Sequence, residues 1–576
     1  MDERVIEAKN VTTTRPARLT WVGDASLPDA ARNALMGPGA RFEITIEDVL
    51  GVPTEVFAQR HRSLRDSMEA ASVNFADRVY LATTDRDYTY AETARIVGHL
   101  ATRLADDYGV GKGDRVAVAA ANSAEYAMVV WATIVLGGIT VGLNGWWTSA
   151  ELQYGIDLTD PTLVVADAPR ATRLADVTMG TTPLLELEHI LDGLPEGPSS
   201  LPDVALNEDD PFLILFTSGT TGRPKGAVLS HRNFLHFSQS GLLSGAIGVV
   251  LSGVTPDPNV QIASLMVGPL FHVSGIVPLV FSMDNGSRQV MPPAGRWSEV
   301  THFELTEKHR IQLWAGVPTQ FWRLLQHPDF ETYDLSCVVA AGGGGANFPP
   351  DLVRLFQEKM PAVSLRNGYG MSESAGMGTV TVGPMFVARP DAVGTANPAT
   401  EVEIRGPGVS GDDEVLEEGE IGEIYMRTAA VFLGYWNNEA ATADALMPGR
   451  WYRTGDFGRI EDGMLYLESR MRDMIIRAGE NIYPTEIENR LIEHPDIDDV
   501  AVIGVPHQQL GQEVMAIVVR RAGSDISVAE VQRFAAEKLG AYKVPTHVKF
   551  RDELPYTQSG KVLKHELERE YVTSVA

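Results

Sequence analysis

The sequence predicts an α/β chain: a large amino-terminal region of parallel sheets with a β-rich portion late in it, then a smaller α+β unit. Three observations predict this. From about residue 63, apolar strand-like runs alternate with longer amphipathic stretches, the rhythm of strand–helix–strand crossovers. Between Glu401 and Tyr425 the rhythm changes to strand-like segments joined by a Gly-, Asp- and Glu-rich turn region. Roughly the last hundred residues hold a helix–strand–strand–helix series of their own.

The elements follow in chain order. Residues 1–62 are mixed and read as an amino-terminal extension packing on the large domain, with alternation from Phe42 to Glu47 marking a short strand. Residues 63–471 form the large domain. Strands are expected at Arg115 to Ala119, Thr162 to Val165, Phe212 to Phe216, Ile262 to Val267 and Cys337 to Ala340. The last would make Cys337 an inert buried thiol. The longest apolar run, Tyr126 to Leu143, approaches a membrane span, but Gly137, Gly138, Thr140 and Gly142 interrupt it. It reads as a buried helix from Tyr126 to Leu136 followed by a buried strand from Thr140 to Leu143. Val402 to Ile404 and Ile421 to Tyr425 are the β-rich strands. A boundary falls in the charged stretch Arg470 to Asp473, so residues 472–576 are the small unit. There a helix opened by Pro484 runs from Thr485 to Glu493, strands from Val500 to Val505 and Val514 to Val519, and a helix from Val528 to Leu539.

Composition narrows the partners. The chain has 48 Lys and Arg against 76 Asp and Glu, a net charge of −28. That argues against nucleic acid, whose binding draws on cations. Small anions such as nucleotides remain open to it, because backbone N–H groups, a few cations and a metal can hold them. Cys337 is the only cysteine, which excludes intrachain disulfides and fits a reducing cytoplasm. Residues 1–7 have neither a basic nor an apolar leader pattern. Peripheral membrane contact and a homodimer are left open.

The chemistry starts at Thr217, Ser218, Gly219, Thr220, Thr221, Gly222 and Lys225, directly after an apolar strand. Glycines let backbone N–H groups converge on phosphate oxygens, and hydroxyls and a lysine add donors and charge. Alone, such a segment is either a phosphate cradle or a Ser/Gly/Thr surface loop. It lacks the Walker A spacing, so a P-loop NTPase is disfavoured. Gly406, Gly408 and Gly411 match a dinucleotide pattern on paper. That match is rejected, because Pro407 interrupts it and acidic residues follow instead of a helix.

Segment 217–226 resembles the phosphate-binding signature of the adenylate-forming superfamily, which includes acyl- and aryl-CoA synthetases, adenylation domains and firefly luciferase. Further blocks resemble that family's in its order, from about Ser63 to Leu567. Residues 269–275 resemble the block whose histidine, here His272, borders the acyl pocket, and Ile276 stands where some long-chain synthetases have a gating tryptophan. Gly344, Gly345 and Ala346 resemble the stretch along adenine and acyl group. Asn367, Gly368, Tyr369, Gly370, Ser372 and Glu373 resemble the block for adenine, α-phosphate and Mg2+. Asp456 falls in the ribose-binding block, Arg470 and the hinge residue Arg472 in the next, and Gly479 in the loop that lines the pantetheine tunnel. Lys561, after Gly560, resembles the catalytic lysine.

The residue chemistry is compatible with each role. Tyr369 offers a ring face to adenine, Glu373 a hard oxygen to Mg2+, Asp456 two oxygens to ribose hydroxyls, and Lys561 a point charge. Each has a plainer reading, as a packed tyrosine, an ion-paired or turn carboxylate, or a solvated lysine. His272 is more simply a pocket-wall residue than a proton carrier. Three positions depart from the family pattern: Ser372 replaces a commoner threonine, Arg472 a usual Lys or Asp, and Ala478 the first of two glycines.

The resemblance implies an acyl-CoA synthetase with ATP, Mg2+ and CoA, acting on a small-molecule carboxylate, fatty or otherwise hydrophobic. It also implies a small carboxy-terminal domain that moves between two half-reactions. A stand-alone enzyme that donates to a carrier protein, and a luciferase-like oxidoreductase, stay open.

Overall fold

The computed structural model describes residues 15–21, 27–217, 224–255, 257–295, 297–344, 348–407, 413–470, 473–477, 480–507, 510–556 and 562–575. Their strands form four sheets. In the seven-stranded sheet, Leu184–Glu186, Leu163–Ala166, Arg115–Ala119, Ile139–Gly142 and Pro211–Thr217 run parallel in that spatial order. Lys225–Ser230 then turns back antiparallel. The run 126–143 divides as its glycines predict. Helix Ala124–Val135 is capped by the Ser123 hydroxyl on the Tyr126 N–H at 3.1 Å, and buries every residue except Glu125. Strand Ile139–Gly142 follows, buried throughout.

The sixteen-stranded sheet joins two patterns. Val79–Ala82, Arg288–Val290, Ala263–Leu265, Leu313–Ala315, Ala340–Gly344 and Ser364–Gly370 are parallel neighbours. From Gly378–Val382 onward the pairing is antiparallel, through Ala392–Ala396, Met464–Arg470, Trp451–Glu461, Gly422–Thr428 and Thr400–Pro407. This is the β-rich portion. The α/β class with a β-rich portion is therefore as expected.

One expected strand is misplaced. Cys337 precedes the strand, which is the glycine-rich Ala340–Gly344. A Cβ on Gly343 would stand 2.2 Å from the Gly316 carbonyl oxygen, so the parallel neighbour approaches too closely for any side chain. The chain spends its apolar residues before the strand and its glycines within it.

Early residues pack on these sheets. Arg18–Thr20 pairs with Glu401 to Glu403, and Ile44–Val49 forms a hairpin with Val52–Phe57. Arg60 lies between Glu47 at 2.7 Å and Glu208 at 3.0 Å, and Glu208 also meets Arg232 at 2.7 Å. Paired this way, buried charges are tolerated, whereas removing one partner would strand the others. Arg232 belongs to His231–Ser252, which is long and apolar enough by length and composition to cross a membrane. Here Phe234, Leu235, Leu243 and Ile247 are packed inside.

The five-stranded sheet belongs to the carboxy-terminal residues. Ile497–His507 and Gly511–Arg520 form its long antiparallel centre, His547–Arg551 pairs parallel, and Ile475–Arg477 with Glu480–Ile482 completes one edge. Helices Pro484–Ile492 and Val528–Ala536 cover the core of Ile487, Leu491, Val502, Val518 and Val531.

Candidate active site

The Gly- and Thr-rich segment joins two strands that pair antiparallel. Thr217 ends a parallel core strand and stands opposite Lys225, the first residue of the returning strand. Carboxyl ends of parallel strands are where α/β sheets bind ligands. Thr217 and Lys225 are the described feet of the loop; Ser218, Gly219, Thr220, Thr221 and Gly222 lie outside the described residues. The Tyr154 hydroxyl donates to the Pro224 carbonyl at 2.9 Å and holds the second foot.

Lys225 leads to Glu373 through a residue that the sequence reading missed. Its Nζ stands 4.9 Å from the Tyr435 ring centroid, a cation–π contact of about 0.5–2 kcal/mol. Tyr435 arrives on the short strand Gly434–Tyr435, opposite Ala227. Its hydroxyl donates to Glu373 Oε1 at 2.9 Å. Burial, and then the Glu373 charge, push the Tyr435 pKa up, so the phenol stays protonated. The signal that could have found it is the aromatic run Phe432, Tyr435 and Trp436, just ahead of the Asp456 block.

Glu373 sits on the tight turn Ser372–Ser374 that follows Ser364–Gly370, and is 7% exposed. Its carbonyl accepts the Phe432 N–H at 2.8 Å. Beyond it, Ala375 and Gly376, with φ of 51° and 82°, reverse the chain into Gly378–Val382. Among the described residues no group of three or more His, Cys, Asp or Glu side chains could hold a metal. A lone carboxylate nevertheless fits Mg2+, which takes one or two carboxylates and draws its other ligands from substrate phosphates and water.

A second tyrosine–carboxylate pair joins Ser364–Gly370 to Trp451–Glu461. The Tyr369 hydroxyl donates to Asp456 Oδ2 at 3.0 Å. Asp456 is positioned by its own N–H on Thr454 Oγ1 at 3.0 Å, after Gly455 with φ of 73°, and by pairing opposite Arg470, whose side chain lies outside the described residues. Asn367 and Gly368 stand beside Gly343 and Gly344 in parallel register, with Gly370 ending their strand. Asn367 is 2% exposed, and its Oδ1 is buried without a hydrogen-bond partner. Such an acceptor is costly to leave open, and it fits the amino group of a purine. Gly345 and Ala346 lie outside the described residues.

His272 caps helix Val273–Asn285, and its ring lies 5.1 Å from that of Phe271. Asn122 steadies the block, accepting the Leu270 N–H and donating to the Gly268 carbonyl, each at 2.8 Å. Trp146 stacks edge-on against Phe271 at 4.9 Å. Ile276, the position expected at the acyl pocket, is fully buried. Val273 and Val277 of the same helix are partly buried against that core. Arg472, Gly479 and Lys561 lie outside the described residues.

Residues 68–436 match the family AMP-binding enzyme, and residues 486–561 match AMP-binding enzyme C-terminal domain. Feruloyl-CoA synthase from an Amycolatopsis species is 34% identical, over 84% of this chain and 94% of its own length. Long-chain-fatty-acid–CoA ligase FadD13 from Mycobacterium tuberculosis is 31% identical, over 86% and 95%. Among solved structures, ATP-bound MatB from Rhodopseudomonas palustris superposes with a TM-score of 0.78 at 30% identity, over 89% of this chain and all of the other. The chain that carries tyrosine-held Glu373 and Asp456 thus belongs to the AMP-binding enzyme family, as an adenylate-forming ligase of the acyl-CoA synthetase branch.

Proposed function

We propose that this ligase activates a hydrophobic carboxylic acid as its acyl-adenylate and transfers the acyl group to CoA. The observation that carries the reading is the convergence at the hairpin: Lys225 over Tyr435, Tyr435 on Glu373. It places a cation and a carboxylate beside the loop, as triphosphate binding with a shared Mg2+ requires.

In the first step a substrate carboxylate oxygen attacks the α-phosphorus of ATP, and pyrophosphate leaves. Lys225, Thr217 and the hairpin residues Ser218 to Gly222 meet the charge of the phosphates. Asp456 accepts the ribose hydroxyls, Tyr369 faces adenine, and Asn367 Oδ1 accepts from its amino group. Glu373 would hold Mg2+, which neutralises phosphate charge when bound. Ser372 donates to the α-phosphate, and Lys561 stabilises charge where the carboxylate meets phosphorus. The carboxy-terminal residues 472–576 then turn about Arg472 as one mobile domain, withdrawing Lys561 and bringing in the Gly479 loop. The CoA sulfur attacks the acyl carbon near His272, and AMP leaves.

Support for a hydrophobic acid comes from the side chains near Gly376. The atoms nearest a Cβ built there belong to Val273, Val277 and Phe237, at 3.8–4.0 Å. The two relatives named above are named for long-chain fatty and ferulic acids. The test supplies ATP, Mg2+ and acids from acetate to long-chain and aromatic, with and without CoA, and quantifies AMP, acyl-AMP and acyl-CoA. Hydrophobic acids should yield acyl-CoA and AMP together. Acetate as the best substrate, or acyl-AMP that CoA does not discharge, would overturn the reading.

A further inference from the structure

A basic groove takes part in none of these steps. It encloses about 490 Å³, and Arg78, Arg288, Lys308 and Arg310 line it with a single acid, Asp77. That balance runs against a chain with 48 basic and 76 acidic residues. Arg310 is neutralised by Asp334 at 2.6 Å. The other three cations make no salt bridge among the described residues. Arg78 donates to the Pro258 carbonyl at 2.8 Å and Arg288 to Gln261 Oε1 at 3.3 Å, both uncharged acceptors. Lys308 is exposed. His309 also lines the groove, and its Nε2 is buried without a partner. Burial lowers its pKa, and the charges of Lys308 and Arg288 lower it further, with Asp87 opposing. An uncharged ring leaves the repulsion between these cations in place, and an anion standing among them would remove it.

Topology separates this groove from the nucleotide site. Of its lining residues, Val79 and Arg288 begin the strands Val79–Ala82 and Arg288–Val290. Gln261 precedes Ala263–Leu265, and Gln312 precedes Leu313–Ala315. The groove therefore opens at the amino ends of the parallel strands. Gly344 and Gly370 close neighbouring strands of the same sheet at their carboxyl ends, and Glu373 follows there. Lys308 and His309 alone have a simpler use, since basic groups in the last turn of helix Glu299–His309 offset its dipole. Arg78 and Arg288 come from other elements, and that use does not account for them.

We propose that the groove is a second anion site, taking a phosphate-bearing ligand in the grip of Arg78, Arg288 and Lys308. Two guanidinium forks suit phosphate oxygens in pairs, and the lysine supplies a point charge on a flexible stem. The volume lies in the range of about 300–1,000 Å³ that small-molecule sites occupy. A free diphosphate and a phospholipid headgroup share this chemistry. Val260, in the lining, is 51% exposed, and Val254 shortly before it is 66% exposed. These give the acyl chains of a lipid an apolar edge to meet. The site is independent of which acid the ligase activates.

Calorimetric titration of pyrophosphate into the full-length Lys225→Ala protein tests the site, because that background weakens the hairpin's own hold on phosphate. Binding should persist there and weaken with added salt. Adding Lys308→Glu or Arg288→Gln should weaken it by about tenfold or more, and Lys308→Arg should keep it. Lys308 is exposed, so Lys308→Glu should fold, and in the otherwise wild-type chain it should leave KM for ATP and the rate of AMP formation unchanged. Sedimentation with phosphatidylcholine vesicles, with and without phosphatidic acid, distinguishes the two sources. Retention on phosphatidic acid that Lys308→Glu abolishes assigns the site to a headgroup, and pyrophosphate binding without such retention assigns it to a free phosphate. Binding of neither, or binding that Lys308→Glu and Arg288→Gln both leave intact, overturns the inference. A loss of ATP affinity in Lys308→Glu overturns the separation of the two sites. The ligase reading stands in each case.

Discussion

The sheets of the large region and the five-stranded carboxy-terminal sheet both bury ionisable side chains, and burial shifts histidines in one and an aspartate in the other. In the large region His231, His236 and His302 are enclosed, and burial lowers their pKa values to about 4, 3 and 3. In the carboxy-terminal unit burial acts on an acid. Asp499, held by the Tyr556 hydroxyl and by the Val500 N–H at 2.8 Å, is pushed up to about 6 by burial. The two regions also divide the candidate chemistry. The hairpin feet, Glu373 and Asp456 belong to the first, and Lys561 to the second. Each region has its own apolar core.

The sharpest way to break that division is to remove the lysine. Lys561→Ala should slow acyl-adenylate formation by about a thousandfold, roughly 4 kcal/mol of transition-state stabilisation. Thioester formation from supplied acyl-adenylate and CoA should stay within a few-fold of wild type. Rapid-quench measurement of the two half-reactions distinguishes them, and equal losses would put the lysine in both.

Acidity should separate the regions next. A histidine held below its ordinary value of 6.5 stabilises the fold above about pH 6.5, and that stability is lost as pH falls toward the folded value. For His231 alone, going from pH 7 to 4 costs the large region about 3 kcal/mol. Asp499 has the reverse sign. Its contribution is whole below its ordinary 3.8 and is lost as pH rises through about 6. Asp499→Asn should therefore stabilise the carboxy-terminal sheet at pH 7 by about 2 kcal/mol, and by far less at pH 4. Peptide-resolved hydrogen exchange in urea, corrected for intrinsic rates, reads both regions in one sample. A common direction of change across the pH range would end the contrast.

What the sequence made legible follows the same division. Alternating apolar runs located the parallel strands, and glycine interruptions divided 126–143 correctly, because period and breaker residues are local signals. The strand Ala340–Gly344 escaped because its glycines answer to a neighbouring backbone, and nothing local announces that contact. Motif order exposed the positions of Glu373, Tyr369 and Asp456, yet their holding partners were only half visible. Tyr369 was read as a ring for adenine, and its hydroxyl bond to Asp456 depends on two strands meeting. Tyr435 went unread for the same reason: it acquires its meaning from a residue distant in the chain.

The smallest effect tests the second tyrosine pair. Tyr369→Phe keeps the ring and removes the donor to Asp456 Oδ2. If that hydroxyl only orients a carboxylate that receives ribose, its loss should cost about 1 kcal/mol, a net hydrogen bond. KM for ATP should then rise about fivefold with kcat nearly unchanged, since ground state and transition state lose the contact alike. The same change should leave the pH response of the carboxy-terminal sheet untouched, because Asp456 and Asp499 lie in different sheets. A fall in kcat with KM unchanged would instead mean that the pair acts only in the transition state. Asp456 would then be placing ATP for attack, and not merely holding its sugar.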